Sequence, residues 1–131
     1  MVACNRSNCG LCSHKNLITG KSLTLKTGQK ITPNAKISCS SLNVVYCIVC
    51  PGCKEFYIGE TKCLRKRMNL HRSQSSPTFI MPPPLKVNQH IKQCTKGYFQ
   101  VFPFFSVRQS HQIAREGWEA HFQKIYRPTL H

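Results

Sequence analysis

Two tyrosines, an arginine, a histidine and a glutamate stand at spacings that suit attack on a phosphodiester. Tyr46 and Tyr57 lie eleven positions apart in two short apolar segments. Arg67 and His71 are four apart, so they share a face if the segment is helical. Glu119 sits in a later stretch of helical character. Phosphodiester hydrolysis needs an activated water, a cation beside the scissile phosphate and a group that steadies the leaving oxygen. Arg67 suits the phosphate oxygens. Tyr46 or His71 suits the proton of the attacking water. Glu119 suits one divalent metal beside the leaving oxygen. Each residue also has a plainer use: packing for the tyrosines, a basic surface for Arg67, and a helix-surface charge for Glu119 that Glu116 would fill as well.

A second kind of chemistry is written in the nine cysteines. The odd count excludes complete internal pairing. The N-terminal residues carry no apolar run of the kind a signal peptide needs, so a reducing compartment is expected, where clustered thiols bind metal. Cys4-x4-Cys9-x2-Cys12, followed by Cys39, offers four soft ligands for one tetrahedral zinc. Such an ion would tie together a loop-rich segment too small to hold itself. Cys50-x2-Cys53, with Pro51-Gly52 as the turn between, offers half of a second site. His90-x3-Cys94 offers the other half, because residues four apart on a helix reach the same ion. Cys47, in an apolar run, is expected to be a buried structural thiol. Cys63 has no assigned role.

The charge balance narrows the partners. The chain of 131 residues carries 19 Lys+Arg against 4 Asp+Glu, a formal net charge of +15. There is no aspartate, and the carboxylates are Glu55, Glu60, Glu116 and Glu119. Aspartic dyads, EF-hands and clustered-carboxylate metal sites are thereby excluded. A small domain this basic expects a polyanion: DNA first, RNA second. No apolar stretch is long enough to cross a membrane. The expected setting is intracellular and reducing, and nuclear in a eukaryote.

These side chains need elements to hold them. Residues 43–50 are short, apolar and β-branched, as a buried strand is. After the Pro51-Gly52 turn, residues 55–59 read as the returning strand. Thr61 can cap a helix over 62–72. Residues 73–84 form a Ser- and Pro-rich loop containing Pro82-Pro83-Pro84, and a second helix follows to about Cys94. Residues 98–107 read as a strand in which Pro103 marks an edge or a bulge. A last helix starts at Ser110 or His111 and ends near Tyr126. The fold expected is α/β of the α+β kind, a small mixed sheet with flanking helices. Residues 1–42 form a zinc-bound flap and 43–131 the main domain.

Three segments carry a family resemblance: Asn43-Val44-Val45-Tyr46, Phe56-Tyr57-Ile58-Gly59-Glu60-Thr61, and Leu64-Arg65-Lys66-Arg67-Met68-Asn69-Leu70-His71-Arg72. Together they resemble a GIY-YIG endonuclease domain, and they are most similar to the subgroup carried by Penelope-like retroelements. In that family an arginine follows the second motif's glycine by about two helical turns, as Arg67 follows Gly59, and a His or Tyr often lies one turn further, as His71 does. The family's last helix carries a Glu about nine residues before Pro-x-x-Asn. Glu119 precedes Pro128-Thr129-Leu130-His131 in that way, which selects it over Glu116. The subgroup also carries a Cys-x2-Cys between the core motifs and downstream His ligands, which Cys50, Cys53, His90 and Cys94 fit with one His replaced by Cys. Val44 stands where the first motif has glycine, and His131 where the family has asparagine.

The resemblance implies a three-stranded, mostly antiparallel sheet flanked by helices. It implies nicking of DNA with one Mg²⁺ or Mn²⁺ on Glu119, Arg67 on the phosphate, and Tyr46 taking the water's proton with help from His71 or Tyr57. Up to two structural zinc ions, and a monomer or a transient dimer on DNA, complete the expectation. Its rivals are an inactive zinc module that binds nucleic acid, and an interaction domain docking through Pro82-Pro83-Pro84.

Overall fold

Seven consecutive buried residues, Val44 to Cys50, set the architecture, because a strand hidden on both faces needs a layer on each side. A computed structural model describes residue 9, residues 16–78 and residues 85–130. In chain order these form β1 (Leu23–Thr24), β2 (Lys30–Ile31), β3 (Leu42–Val49), β4 (Phe56–Cys63), α1 (Leu64–Ser75), α2 (Lys86–Thr95), β5 (Gln100–Ser106) and α3 (Gln112–Tyr126). The sheet runs β4-β3-β5, with both neighbours antiparallel to the central strand. β1 and β2 make a separate small hairpin.

Alternation along β3 feeds two cores. Val44, Tyr46 and Ile48 join Leu64 and Met68 of α1, Val87 and Ile91 of α2, Phe99 and Leu130. Val45, Cys47 and Val49 join Phe56, Ile58, Phe102 and Phe104, covered by Phe122 and Tyr126 of α3. The described part of the first 42 residues serves both: Cys9, Ile37 and Cys39 enter the first core, and Leu25 and Ile31 the second. Cys47 is fully buried, and that burial pushes its thiol pKa far up, as an inert structural thiol requires.

Three boundaries differ from expectation, one of them the end of the first helix, which runs past Arg72 to a buried Ser75. The returning strand continues to Cys63 instead of stopping at Gly59, because its ladder with β3 persists through Glu60, Thr61 and Cys63. Thr61 is therefore a strand residue and not a helix cap. Its hydroxyl donates to the Cys63 carbonyl and accepts from the Cys63 N–H, both at 3.1 Å, bracing the strand-to-helix junction. α1 begins at Leu64 with no side-chain cap. The last helix starts as expected, with His111 Nδ1 accepting the Ala114 N–H at 3.2 Å.

β5 bears out the reading of Pro103. Val45 pairs with Phe105 and Tyr46 with Pro103, so the register slips by one residue at a bulge, where a missing N–H costs little. β5 is also the last strand of the sheet on that side, with residues 16–18 running alongside it through a parallel bridge from Leu17 to Val101. Pro82-Pro83-Pro84 lies outside the described residues.

Phe102 is fully buried in the second core. Phe102→Ala should therefore lower unfolding stability by about 3–5 kcal/mol, read as a shifted urea midpoint with an unchanged slope.

Candidate active site

The β3–β4 register places Tyr46 directly opposite Gly59. The phenol leans across that bare backbone. A Cβ at position 59 would stand 2.6 Å from Tyr46 Oη and 2.7 Å from Tyr57 Cε2. Glycine is needed here for space rather than for backbone freedom. Tyr57, two residues back on the same face of β4, meets Tyr46 with ring centroids 6.3 Å apart. Tyr46 is only 1% exposed, while Tyr57 remains partly open.

α1 brings the next two groups. Its inward face carries Leu64, Met68, His71 and Ser75. His71 Nε2 lies 2.9 Å from Tyr46 Oη. Behind it, Asn88 Nδ2 of α2 reaches His71 Nδ1 at 3.0 Å, the His71 carbonyl at 3.3 Å and Ser75 Oγ at 2.9 Å. Burial, then the Arg67 charge, hold the His71 pKa down at about 4, so the ring is neutral at pH 7. Burial, reinforced by Tyr57, pushes Tyr46 well above the ordinary phenol range. Burial, and next Glu119, also raise Tyr57, against a hydrogen bond from Tyr46 that favours its phenolate.

Glu119 arrives from the other layer, round the sheet edge. α3 packs along β4, where Glu119 accepts a backbone hydrogen bond from Glu60 and Gln123 Nε2 donates to the Ile58 carbonyl at 3.2 Å. The carboxylate therefore opens on a cavity of about 370 Å³ that it shares with Tyr57, Lys86 and Gln123. Burial raises the Glu119 pKa, and the negative charge of Glu60 raises it further. An acid held in this way favours a cation, so the donor suits a single hard divalent ion with water or phosphate oxygens filling its other positions. Glu116 instead is exposed and accepts from Gln112.

Arg67 unites the set. Its charge acts on Tyr46, Tyr57, His71 and Glu119 alike. It lines a groove of about 600 Å³ with Lys62, Lys66 and Thr61. Of the five residues singled out from the sequence, Tyr46, Tyr57 and His71 meet directly, Tyr57 and Glu119 line one cavity, and Arg67 lines the neighbouring groove from which its charge reaches the others. Several partners were not foreseen. Asn88 carried a signal, a polar residue between Val87 and Ile91 on a buried helix face. Glu60 and Arg115 form a nearly buried ion pair at 2.7 Å, with Arg115 also bonding Asn43. That pair spans 55 residues and no local pattern announces it.

The second cysteine cluster also assembles. The donor atoms of Cys50, Cys53, His90 and Cys94 all lie within 4.8 Å of one another, with Cys53 Sγ 3.0 Å from His90 Nε2. A zinc tetrahedron sets such atoms about 3.5–3.8 Å apart. Gly52 leaves the room, since a Cβ there would come within 3.0 Å of Cys94 Sγ. Burial opposes the Cys50 thiolate, yet the N–H groups of Cys53 and Gly52 outweigh it and pull its pKa down. Cys94, hydrogen-bonded to Cys50, is pushed up to about 11. A dication in the cluster would displace the thiol protons that remain there. Of the first cluster, Cys9 and Cys39 are buried against Arg65, whose Nη2 is 3.5 Å from Cys39 Sγ. Cys4 and Cys12 lie outside the described residues, as does His131.

Two outcomes follow from these surroundings. His71 refuses a proton in the folded state until about pH 4, whereas it accepts one near 6.5 when unfolded. The folded state thus loses stability as pH falls through that window, on the order of 3 kcal/mol in all. His71→Gln should flatten the dependence of unfolding free energy on pH between 4 and 6.5 when both proteins are kept metal-loaded. Separately, purified protein should contain zinc, and stripping it with a chelator should lower the melting temperature sharply, since structural zinc contributes roughly 10–16 kcal/mol in small domains. A zinc-free chain that melts unchanged would reject the cluster.

Residues 42–130 match the family model described as GIY-YIG catalytic domain. No curated protein and no protein of solved structure gives a match.

Proposed function

The chain belongs to the GIY-YIG family of nuclease catalytic domains, and on that premise we propose that it is a metal-dependent endonuclease that nicks DNA. The observation that carries this reading is the meeting of Tyr46, Tyr57, Arg67, His71 and Glu119 around one strand, under the common charge of Arg67. The DNA strand runs along the groove of Lys62, Lys66 and Arg67, with Lys86 lining the cavity that Tyr57 and Glu119 share.

Roles divide by exposure. Arg67 binds the scissile phosphate and stabilises its growing charge. Tyr57 in its ionised form takes the proton of the attacking water: it opens on the cavity that Glu119 lines, and the Arg67 charge and a hydrogen bond from Tyr46 both favour its phenolate. Tyr46, buried behind it, supports that phenolate instead of receiving the proton itself. His71, neutral, holds Tyr46. Glu119 holds one divalent cation, Mg²⁺ or Mn²⁺, which when bound steadies the charge on the leaving 3′-oxygen. One such site cuts one strand at a time, so double-strand cutting needs a second copy or a second event.

Zinc is structural in this reading. One ion joins Cys50, Cys53, His90 and Cys94. A second joins Cys4, Cys9, Cys12 and Cys39, with the Arg65 guanidinium offsetting thiolate charge. The placement of Cys50 and Cys53 between the two core motifs, with His90 and Cys94 downstream, supports a retroelement origin in the Penelope-like subgroup. Thiolate ligands of this kind belong in a reducing compartment, the nucleus in a eukaryotic host.

A supercoiled plasmid incubated with Mg²⁺ or Mn²⁺ should be converted to the nicked form. Glu119→Ala should abolish conversion, and Arg67→Ala should slow it by roughly 10²–10³-fold. DNA affinity of the Glu119 variant should be unchanged or slightly tighter, because removing an acid does not weaken binding to a polyanion. Binding without cleavage in either metal, or nicking by Glu119→Ala, would overturn the assignment.

A further inference from the structure

We propose that Asn88 is a positioning residue: its amide fixes His71 in the neutral tautomer protonated on Nε2, and so aims a hydrogen bond at Tyr46 Oη. The catalytic consequence rests on the nuclease reading above, while the hydrogen-bond assignment stands apart from it.

The direction of each bond follows from which atoms can only accept. The His71 backbone carbonyl is an acceptor, and the Asn88 amide faces it at 3.3 Å. Turned the other way, the amide would set its own oxygen against that carbonyl oxygen. The facing atom is therefore Nδ2, and its two hydrogens serve Ser75 Oγ at 2.9 Å and the His71 side. Nδ2 also lies 3.0 Å from His71 Nδ1. A nitrogen that receives an N–H holds a lone pair there, so the single proton of the neutral ring sits on Nε2. Nε2, at 2.9 Å, then donates to Tyr46 Oη. Tyr46 is left with its own O–H to give, and Tyr57 receives it. All the donors point one way, from α2 outward to Tyr57.

Packing alone does not account for an asparagine at this position. Asn88 is 1% exposed and its Oδ1 has no partner among the described residues. A buried orphan oxygen is costly, and an apolar side chain of similar size would avoid that cost. The amide is also held in register from both sides. Val87 and Ile91 are fully buried beside it, and His90 and Cys94, further along α2, belong to the cysteine cluster. Without the donor, the ring is free to carry its proton on Nδ1. Nε2 then becomes an acceptor, Tyr46 turns its O–H toward His71, and Tyr57 loses its hydrogen bond. An aspartate at 88, which only accepts, enforces that reversed state.

The test is nitrogen-15 NMR of histidine-labelled, metal-loaded protein, with the His71 signals assigned by their loss in His71→Gln. The wild type should show a bare Nδ1 and a protonated Nε2. Asn88→Asp should move the proton to Nδ1. Asn88→Asp and Asn88→Leu should both nick plasmid roughly 10- to 100-fold more slowly at saturating DNA, with the binding midpoint unchanged. A wild-type ring protonated on Nδ1 would overturn the proposal even if DNA is cut, as would two folded variants with wild-type rates. If neither variant folds, the wild-type signature alone decides. A protonated Nε2 in a chain that cuts no DNA would reject the nuclease reading and leave the hydrogen-bond assignment standing.

Discussion

Tyr46 is among the largest fully buried side chains of the molecule, and it lies against a residue with no side chain at all. That pairing is the constraint on which the rest depends. With Gly59 opposite, the phenol crosses the sheet surface to reach Tyr57 on one side and His71 on the other. With any larger residue it would be lifted off, and both contacts would go with it. The register matters as much as the residue. A slip of one position would send Tyr46, Ile48 and Val44 to the α3 face and leave α1 and α2 without a floor. The core and the reactive groups therefore share one specification, the β3–β4 ladder.

Electrostatics divides the site into a neutral interior and a charged rim. His71 and Tyr46 are kept uncharged by burial, so they communicate through hydrogen bonds alone. Arg67 and Glu119, both partly exposed, meet the solvent on either side of β4. In a chain of net charge +15, Glu119 and Glu60 make a small acidic niche, and one of the two is already matched by Arg115. Arg67 thus lines a basic groove, and Glu119 lines a separate, more acidic cavity.

Local signals made much of this legible in advance. The apolar run of 43–50, the Cys-x2-Cys turn, the i,i+4 pairs Arg67/His71 and His90/Cys94, and Pro103 all act over a few residues. Each landed where its periodicity or geometry required. What stayed hidden acts across the chain. The ladder, not local propensity, extended β4 to Cys63 and turned Thr61 from a cap into a brace. Asn88 acquired meaning only when α2 packed beside α1. Burial, invisible in a single sequence, separated two tyrosines that look equivalent on paper: Tyr46 is sealed and Tyr57 is open.

The backbone at the margins of the sheet has a further effect. Along the outer side of β4, the Phe56 carbonyl accepts from the N–H groups of Thr129 and Leu130, the Ile58 carbonyl from Gln123, and the Glu60 amide is taken by Glu119. Along β5, Val101 is occupied by residues 16 and 18, the Phe104 carbonyl by the Asn34 amide, and Ser106 by the Asn34 side chain. Much of each rim is thus engaged and disfavours strand addition, the usual route by which a short sheet recruits a neighbour. A second copy meeting these rims would find side chains and loops in place of open backbone, so the approach of two such domains would be set more by what they both hold than by each other.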